Sequence, residues 1–208
     1  DIGAGLLSML DTVTQHTPTG TELVYTALET ERELIEENIA ALTSAGFALV
    51  KGDAVKGAEL RDEANKITVH LMREDFRDLP AGFLEGTDLV LACCFVDLMQ
   101  PQDFVKTLMH ALGDSSALVY APITFCGSTA FDPMQPRQGK VPADEEVFEA
   151  YHKGLIEDQG HSLSVSDLLD TVHAFGGRVI AQGPSNWVIP GPGDLVATKK
   201  GEEWGGFE

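Results

Sequence analysis

Residues 88–96 read DLVLACCFV, a continuous apolar run that is bounded by polar residues. A strand that alternates between a wet and a dry face shows every second residue polar, whereas a strand buried on both faces shows an unbroken run. The stretch therefore predicts a strand at 88–96 that is buried on both faces. Such strands belong to sheets whose two faces are covered by helices, so the neighbouring segments decide the fold class.

The segments that follow this run continue the alternation. A short helix is predicted at 101–112, because Pro101 suits a first helical turn and Gly113 suits a helix end. A second buried strand is predicted at 116–125, SALVYAPITF. The Gly- and Pro-rich stretch 127–142 is predicted to be a loop. Further helices are expected at about 143–157 and 164–175.

The segments before the run alternate in the same way. Residues 67–72, ITVHLM, alternate as a strand does, and 22–29, ELVYTALE, are predicted to be a buried strand that ends in an acid. The helix between them is predicted at 30–45, with Thr30 as its N-cap. Its apolar stripe contains Leu34, Ile35, Ile39 and Leu42.

At the other end of the chain, strands are predicted at 178–183, 186–189 and 194–199. The PGPG linker at 190–193 is too short for a helical crossover, so the last two strands should be antiparallel. The expected fold is α/β, with a mainly parallel, doubly wound sheet closed by a C-terminal antiparallel hairpin. We expect one domain over 1–208, with only the last residues of its first strand present, and a helical and loop insertion at about 127–165.

Charge and cysteine usage restrict the classes of partner. The formal net charge is −19, and a field of that sign repels phosphate backbones and anionic membranes. Nucleic acid and membrane partners are therefore not expected. The cysteines are Cys93, Cys94 and Cys126, an odd number with two adjacent, which indicates free thiols in a reducing cytoplasm. A catalytic thiol is the alternative interpretation.

Glycines near the start of the chain indicate a ligand site. Gly3 and Gly5 precede an apolar helical pattern, and glycine lets the backbone approach a ligand closely. Glu29, at the end of the next predicted strand, is placed to accept the hydroxyl hydrogens of a ribose. The dinucleotide pattern G-x-G-x-x-G is incomplete because position 8 is Ser8, and the pattern G-x-G-x-G is incomplete because position 7 is Leu7.

Four segments, taken in order along the chain, indicate which cofactor such a site would bind. They are DIGAG (1–5), YTALE (25–29), REDFRDLP (73–80) and TDLVLACCFVDL (87–98), and together they resemble motifs I to IV of the class I S-adenosylmethionine-dependent methyltransferases. The stretches ITFCGSTAFDP (123–133), EAYHKGLI (149–156) and PSNWVIP (184–190) resemble a bacterial small-molecule branch of that superfamily. The resemblance spans nearly the whole chain and implies a Rossmann-like sheet with an antiparallel hairpin.

The resemblance implies a role for each matched position. Asp1, Gly3, Ala4 and Gly5 would bind the methionine end of S-adenosylmethionine. Glu29, with Thr30 beside it, would bind the ribose, and Asp75 and Phe76 would contact the adenine. Ala92 and Cys93 would face the methionine moiety and the transferring methyl. The implied reaction is methyl transfer to a small-molecule acceptor, and no metal is expected.

Candidate residues on the acceptor side follow other strand ends. His152 is a candidate general base because its ordinary pKa lies near neutrality, and Tyr151 beside it is a second catalytic candidate. Asp97, Thr124, Phe125 and Trp187 are candidate substrate contacts. Four of these candidates have a structural alternative: a surface or packed histidine, a packed tyrosine, a turn-capping aspartate and a tryptophan in hairpin packing.

Two other functions use the same residues. A nicotinamide-dependent oxidoreductase would use the same glycines and Glu29, although the C-terminal hairpin and the DFRDLP stretch are less typical of that class. A non-catalytic cofactor-binding relative is the other alternative, because Leu7 departs from the glycine pattern. Binding of a cofactor without turnover of any acceptor would distinguish it.

Overall fold

The computed structural model describes residues 1–123, 136–140, 142–159 and 165–183. The protein is a mixed α/β structure. In chain order its helices and strands are α1 (Leu10–His16), β1 (Leu23–Leu28), α2 (Arg32–Ser44), β2 (Ala48–Asp53), β3 (Gly57–Asp62), β4 (Ile67–Met72), β5 (Leu89–Leu91), α3 (Pro101–Leu112), β6 (Leu118–Tyr120), α4 (Asp144–Gln159) and α5 (Val165–Ala174). Short 3₁₀ helices lie at Phe76–Asp78 and Val96–Leu98.

The strands form two sheets. The larger has the order β1-β4-β3-β2, in which β1 and β4 are parallel while β3 runs antiparallel to both of its neighbours, β4 and β2. The smaller consists of the parallel pair β5 and β6. The expectation of an α/β fold is confirmed. The larger sheet is mixed, however, and not mainly parallel, because the two strand pairs that extend it beyond β1 and β4, namely β4–β3 and β3–β2, are antiparallel.

One face of the larger sheet packs on helix α2. The predicted alternation of β4 is observed, since Ile67, Val69 and Leu71 are buried and the residues between them are partly exposed. They share an apolar cluster with Ile35 and Leu42 of α2. Burying one such side chain contributes about 1.5–3 kcal/mol, so this interface between helix and sheet is a main source of stability.

The N-terminal residues lie between the two sheets. Ile2 forms a parallel bridge with Leu28 of β1, and its backbone nitrogen donates to the carbonyl of Leu91 in β5 at 2.8 Å. On the β1 side, Leu28 N donates to the Asp1 carbonyl at 2.8 Å and Ala4 N donates to the Leu28 carbonyl at 3.1 Å. This short segment thus connects the end of β1 to the end of β5 by backbone hydrogen bonds.

Helix α3 covers the smaller sheet. It spans Pro101–Leu112, the predicted bounds, and buries Phe104, Leu108 and Ala111. These side chains share a second apolar cluster with Phe76, Val90 and Val96, and residues of α5 pack against it. In the part of the chain that the structure describes, no helix is long and apolar enough to cross a membrane.

The hairpin of β2 and β3 was not predicted. Its turn brings two glycines close to other backbone groups, since a Cβ on Gly57 would lie 2.4 Å from the Leu71 carbonyl oxygen, at a φ of +96°. A Cβ on Gly52 would lie 2.1 Å from the carbonyl oxygen of Gly57. All six residues of β2 are exposed, and the β2–β3 register shifts between Leu49 and Lys51. β2 is therefore an irregular edge strand.

Several predicted strands differ from the observed ones. The run 88–96 contributes only Leu89–Leu91, because Cys94 takes a φ of +54° and a 3₁₀ helix follows. Of the predicted 116–125, only Leu118–Tyr120 is strand. The strand predicted at 178–183 is wrong: these residues form no ladder, and Ile180 is 68% exposed, so no apolar face is buried there. Residues 186–189 and 194–199 lie outside the described residues.

A buried acid on β3 leads to a prediction about pH. Glu59 is buried, with Lys51 Nζ at 2.9 Å, an Arg61 guanidinium nitrogen at 2.8 Å and His70 Nδ1 at 3.7 Å. Hydrogen bonds from Lys51 and then Arg61 lower the pKa of Glu59 from its ordinary value of 4.5. A carboxyl group with a lowered folded-state pKa stabilises the fold above its unfolded-state pKa, and this contribution is lost as the pH falls through the folded-state value.

We therefore expect Glu59→Gln to lose less stability than wild type when the pH falls below 4.5. The measurement is the free energy of unfolding by denaturant at neutral and at acidic pH. Glu63→Gln, an exposed acid in the turn after β3, is the matched control. Equal acid sensitivity of Glu59→Gln and wild type would contradict the prediction.

Candidate functional site

Residues that follow β1, β4 and β5 surround a cavity of about 410 Å³. Ligand sites in α/β proteins lie at the carboxyl ends of parallel strands, which is where this cavity is found. Its size is within the range of small-molecule pockets, about 300–1,000 Å³. It is lined by Gly3, Leu28, Glu29, Thr30, Glu74, Asp75, Phe76, Arg77, Cys93, Cys94, Phe95, Leu98 and Met99.

The carboxylate of Glu29 connects the N-terminal turn to the start of α2. Its Oε2 accepts from Gly5 N at 3.0 Å, and its Oε1 accepts from Thr30 N at 2.8 Å and from Glu31 N at 3.0 Å. Thr30 was predicted to cap α2, but the helix begins at Arg32, and Glu29 accepts from the backbone just before it. An ionised carboxylate has about four acceptor positions, so about one, on Oε2, is left for a ligand hydroxyl.

The segment Gly3–Gly5, here called the glycine turn, has an unusual backbone. Gly3 has a φ of +62° and Gly5 a φ of +51°, a region that glycine adopts without strain. A Cβ on Gly3 would lie 2.7 Å from Cδ2 of Phe95, whereas a Cβ on Gly5 would meet nothing within 4 Å. A glycine is therefore needed at position 3 because a side chain would contact Phe95, and at position 5 only because the backbone is left-handed there.

Leu7 occupies the position at which one glycine pattern is incomplete. Its φ of +58° lies in the left-handed region, which costs a residue with a side chain about 1–2 kcal/mol. The side chain is buried in the cluster with Ala4 and Leu10, and this burial offsets the cost. The backbone thus takes the conformation that glycine favours although the residue is leucine.

The segment after β4 supplies a charged edge and an aromatic wall. Both carboxylate oxygens of Asp75 accept from the Arg77 guanidinium, and Oδ1 also accepts from Arg77 N at 2.8 Å. Hydrogen bonds from this guanidinium lower the pKa of Asp75. Phe76 is buried and makes an edge contact with the Phe95 ring, with centroids 5.6 Å apart. Any ligand group that binds Asp75 must share it with Arg77.

Two adjacent thiols line the third side of the cavity. Cys93 is half-buried and Cys94 is exposed, and both are free. Burial raises the pKa of the Cys93 thiol, so little thiolate is present at neutral pH. This disfavours Cys93 as a catalytic nucleophile and agrees with its prediction as a residue that lines the site.

Four other predicted cofactor contacts lie next to the cavity without lining it. Ala4 and Ala92 are buried, and Gly5 faces Glu29. The Asp1 carboxylate accepts from the Tyr25 hydroxyl at 2.5 Å, and burial raises the pKa of Tyr25, which keeps that donor protonated. Asp1 therefore holds a core hydroxyl in this structure.

The predicted catalytic and acceptor-side residues lie elsewhere. His152 and Tyr151 are on α4, where the His152 ring stacks on Phe148 with centroids 6.1 Å apart, and neither lines the cavity. Asp97 is buried in the 3₁₀ helix Val96–Leu98, next to residues that line it. Thr124, Phe125 and Trp187 lie outside the described residues.

The sequence did not single out several residues of the site. They are Leu28, Arg77, Phe95, Leu98 and Met99, which line the cavity, and Asn38, whose amide contacts the glycine turn. Arg77 and Phe95 lie shortly after β4 and β5, a place that marks them as near the site without giving their contacts, whereas Asn38 lies within α2. Among the described residues no cluster of three or more His, Cys, Asp or Glu side chains is arranged to hold a metal ion.

Comparison of the chain with protein-family models, with curated proteins and with solved structures found no significant match.

Proposed function

We propose that the protein is a class I S-adenosylmethionine-dependent methyltransferase that acts on a small molecule. The observation that carries this proposal is the convergence of the glycine turn, the Glu29 carboxylate and the Asp75–Phe76 segment on one cavity. These are the segments whose sequences resemble the cofactor motifs of that superfamily. The carboxyl ends of neighbouring parallel strands meet at one edge of a sheet, and the segments with this resemblance line the same cavity there.

The proposal includes a doubly wound sheet. If Asp1 and Ile2 are the end of a central strand, the parallel order becomes β4, β1, the N-terminal segment, β5 and β6. The parallel bridge of Ile2 to Leu28 and the hydrogen bond from Ile2 to Leu91 support this order. The β2–β3 hairpin is then an addition at one edge, and the antiparallel hairpin expected at 186–189 and 194–199 stays a prediction because those residues lie outside the described ones.

The residues around the cavity fit the proposed cofactor. The glycine turn would hold the methionine end, where a backbone without side chains allows close approach. The open position on Glu29 Oε2 would accept one ribose hydroxyl, and the Phe76 and Phe95 rings supply apolar surface for the adenine. Asp75 would contact the adenine amino group only in competition with Arg77.

When bound, S-adenosylmethionine supplies a methyl group that its sulfonium already activates. The chain's task is then to position the acceptor and to keep water out, and a base is needed only if the acceptor must lose a proton. Leu98 and Met99 give the cavity an apolar side near Cys93. His152 and Tyr151 are proposed for the proton transfer, and Asp97, Thr124, Phe125 and Trp187 for the acceptor.

The direct test is calorimetric titration with S-adenosylhomocysteine, and with NAD and NADP in parallel. We expect micromolar binding of the homocysteine compound alone. Binding of a nicotinamide instead would replace the proposal with an oxidoreductase. Binding of S-adenosylhomocysteine without methylation of any acceptor in a broad panel would indicate a non-catalytic relative.

A second test concerns the proposed base. We expect His152→Ala to lower kcat by about 10²-fold with little change in cofactor affinity, because general bases contribute about 10²–10⁴-fold. The measurement is the turnover rate with an identified acceptor. His173→Ala, an exposed histidine of α5, is the control. Wild-type turnover by His152→Ala would return His152 to a packing role against Phe148.

A further inference from the structure

Asn38 is a polar residue in an apolar position. It lies on α2 between Ile35 and Leu42, three residues after one and four before the other, and all three are buried. Its exposed fraction is 2%. An amide at such a position costs free energy unless it is hydrogen-bonded, and an apolar side chain would pack there without that cost. Packing alone therefore does not explain why position 38 is an asparagine.

The amide makes one hydrogen bond to the site. Asn38 Nδ2 donates to the Gly5 carbonyl at 2.7 Å, across 33 residues of sequence. On the other side of the same residue, Gly5 N donates to Glu29 Oε2 at 3.0 Å. Both peptide groups that flank the Gly5 Cα are therefore held by side chains, Glu29 just before α2 and Asn38 within it.

This arrangement fixes a residue that would otherwise be mobile. Gly5 has a φ of +51°, and a Cβ there would meet nothing within 4 Å, so packing does not hold its conformation. Glycine has more accessible conformations than other residues. Without the Asn38 bond, the turn would take its binding conformation for a smaller fraction of the time, and the apparent affinity would fall by that fraction.

We propose that Asn38 is a positioning residue that holds the Gly5 carbonyl, keeps the glycine turn aligned with Glu29 and thereby sets the cofactor affinity. The inference rests on the proposed function for the identity of the ligand. The anchoring of the turn is independent of it. Asn38 does not line the cavity, so its effect on binding must act through Gly5.

The experiment compares Asn38→Leu with Leu42→Ala, which weakens the same helix interface but removes no side-chain hydrogen bond to the turn. We expect Asn38→Leu to bind S-adenosylhomocysteine about tenfold more weakly under conditions where it is fully folded, because an unanchored turn lowers the competent fraction. Leu42→Ala should lower the thermal midpoint and keep wild-type affinity. Equal affinities of wild type and Asn38→Leu would overturn the proposal.

Asn38→Asp tests the hydrogen bond itself, because a purely structural role of residue 38 would not make the cofactor affinity depend on pH. Its carboxyl group has nearly the shape of the amide, but it donates to the Gly5 carbonyl only when protonated, and burial raises the pKa of such a group. We expect its affinity relative to wild type to recover as the pH is lowered from about 8 to about 5. A ratio that stays constant with pH would count against the hydrogen bond to Gly5.

Amide hydrogen exchange separates this inference from the proposed function. We expect the exchange rate of the Gly5 amide, relative to that of Val69 in the buried sheet, to rise in Asn38→Leu and not in Leu42→Ala, with no ligand present. If wild type binds no S-adenosylhomocysteine but this ratio rises, the proposed function fails and the anchoring is supported. If wild type binds and the ratio is unchanged, the anchoring is refuted.

Discussion

Glu29→Ala should weaken the binding of S-adenosylhomocysteine by about 1.5–3 kcal/mol, the range for hydrogen bonds to a charged group. This corresponds to about 10- to 150-fold in the dissociation constant. The substitution removes the proposed acceptor for a ribose hydroxyl. It also removes the acceptor of the Gly5, Thr30 and Glu31 amides, so the glycine turn and the start of α2 lose their connection.

The loss of these backbone bonds also lowers stability, by the roughly 0.5–1.5 kcal/mol that a typical hydrogen bond contributes. Binding and denaturant unfolding must therefore be measured on the same samples. Glu29→Gln keeps one acceptor oxygen and should fall between Ala and wild type in affinity. Glu37→Ala, an exposed acid on α2, is the matched control. Unchanged affinity in Glu29→Ala would refute the ribose assignment.

Gly3→Ala should weaken cofactor binding by about tenfold or more, which is about 1.4 kcal/mol. The added Cβ would lie 2.7 Å from Cδ2 and 3.3 Å from Cε2 of Phe95, on a backbone with a φ of +62°. The Phe95 ring can yield only by moving relative to Phe76, and all three residues line the cavity. The substitution therefore changes the shape of the site as well as its backbone.

Gly86→Ala separates the effect of the contact with Phe95 from the effect of the left-handed backbone conformation. Gly86 has a φ of +77°, and a Cβ there would meet nothing within 4 Å. It should show the left-handed penalty of about 1–2 kcal/mol in stability and no loss of affinity. The measurement is calorimetric titration combined with thermal unfolding for both variants. Equal affinity losses in the two would contradict the role of the contact between Gly3 and Phe95.

The elements with the clearest periodicity were predictable from the sequence. Strand β4 and helix α3 were predicted at their observed bounds and α2 within two residues, because a buried face imposes alternation or a helical stripe and Pro101 and Gly113 mark the ends of α3. The β2–β3 hairpin was missed because β2 is exposed at every residue and so has no apolar alternation to detect. The strand predicted at 178–183 shows the converse: the β-branched residues Val179 and Ile180 do not by themselves make a strand.

The site was predictable where a residue's role depends on its place in a motif. Glu29 and Asp75 follow β1 and β4, Gly3 follows the bridge residue Ile2, and all three line the cavity. Arg77 and Asn38 were not predictable, because their roles depend on side-chain geometry: a salt bridge to Asp75, and a hydrogen bond to a glycine 33 residues away. A sequence pattern shows which residues are near a strand end, but it does not show which hydrogen-bond acceptors are already occupied.

The irregular edge strand β2 has a consequence for pairing with other chains. The outer edge of a sheet offers N–H and C=O groups that can template pairing with another chain, above all when the strand is flat and apolar. β2 exposes Leu49 and Val50, but the register shift at Lys51 distorts the strand, and the lysine adds charge to it. A charge and an irregular register at an outer edge both disfavour pairing with another strand, and Lys51 supplies the charge in addition to its ion pair with Glu59.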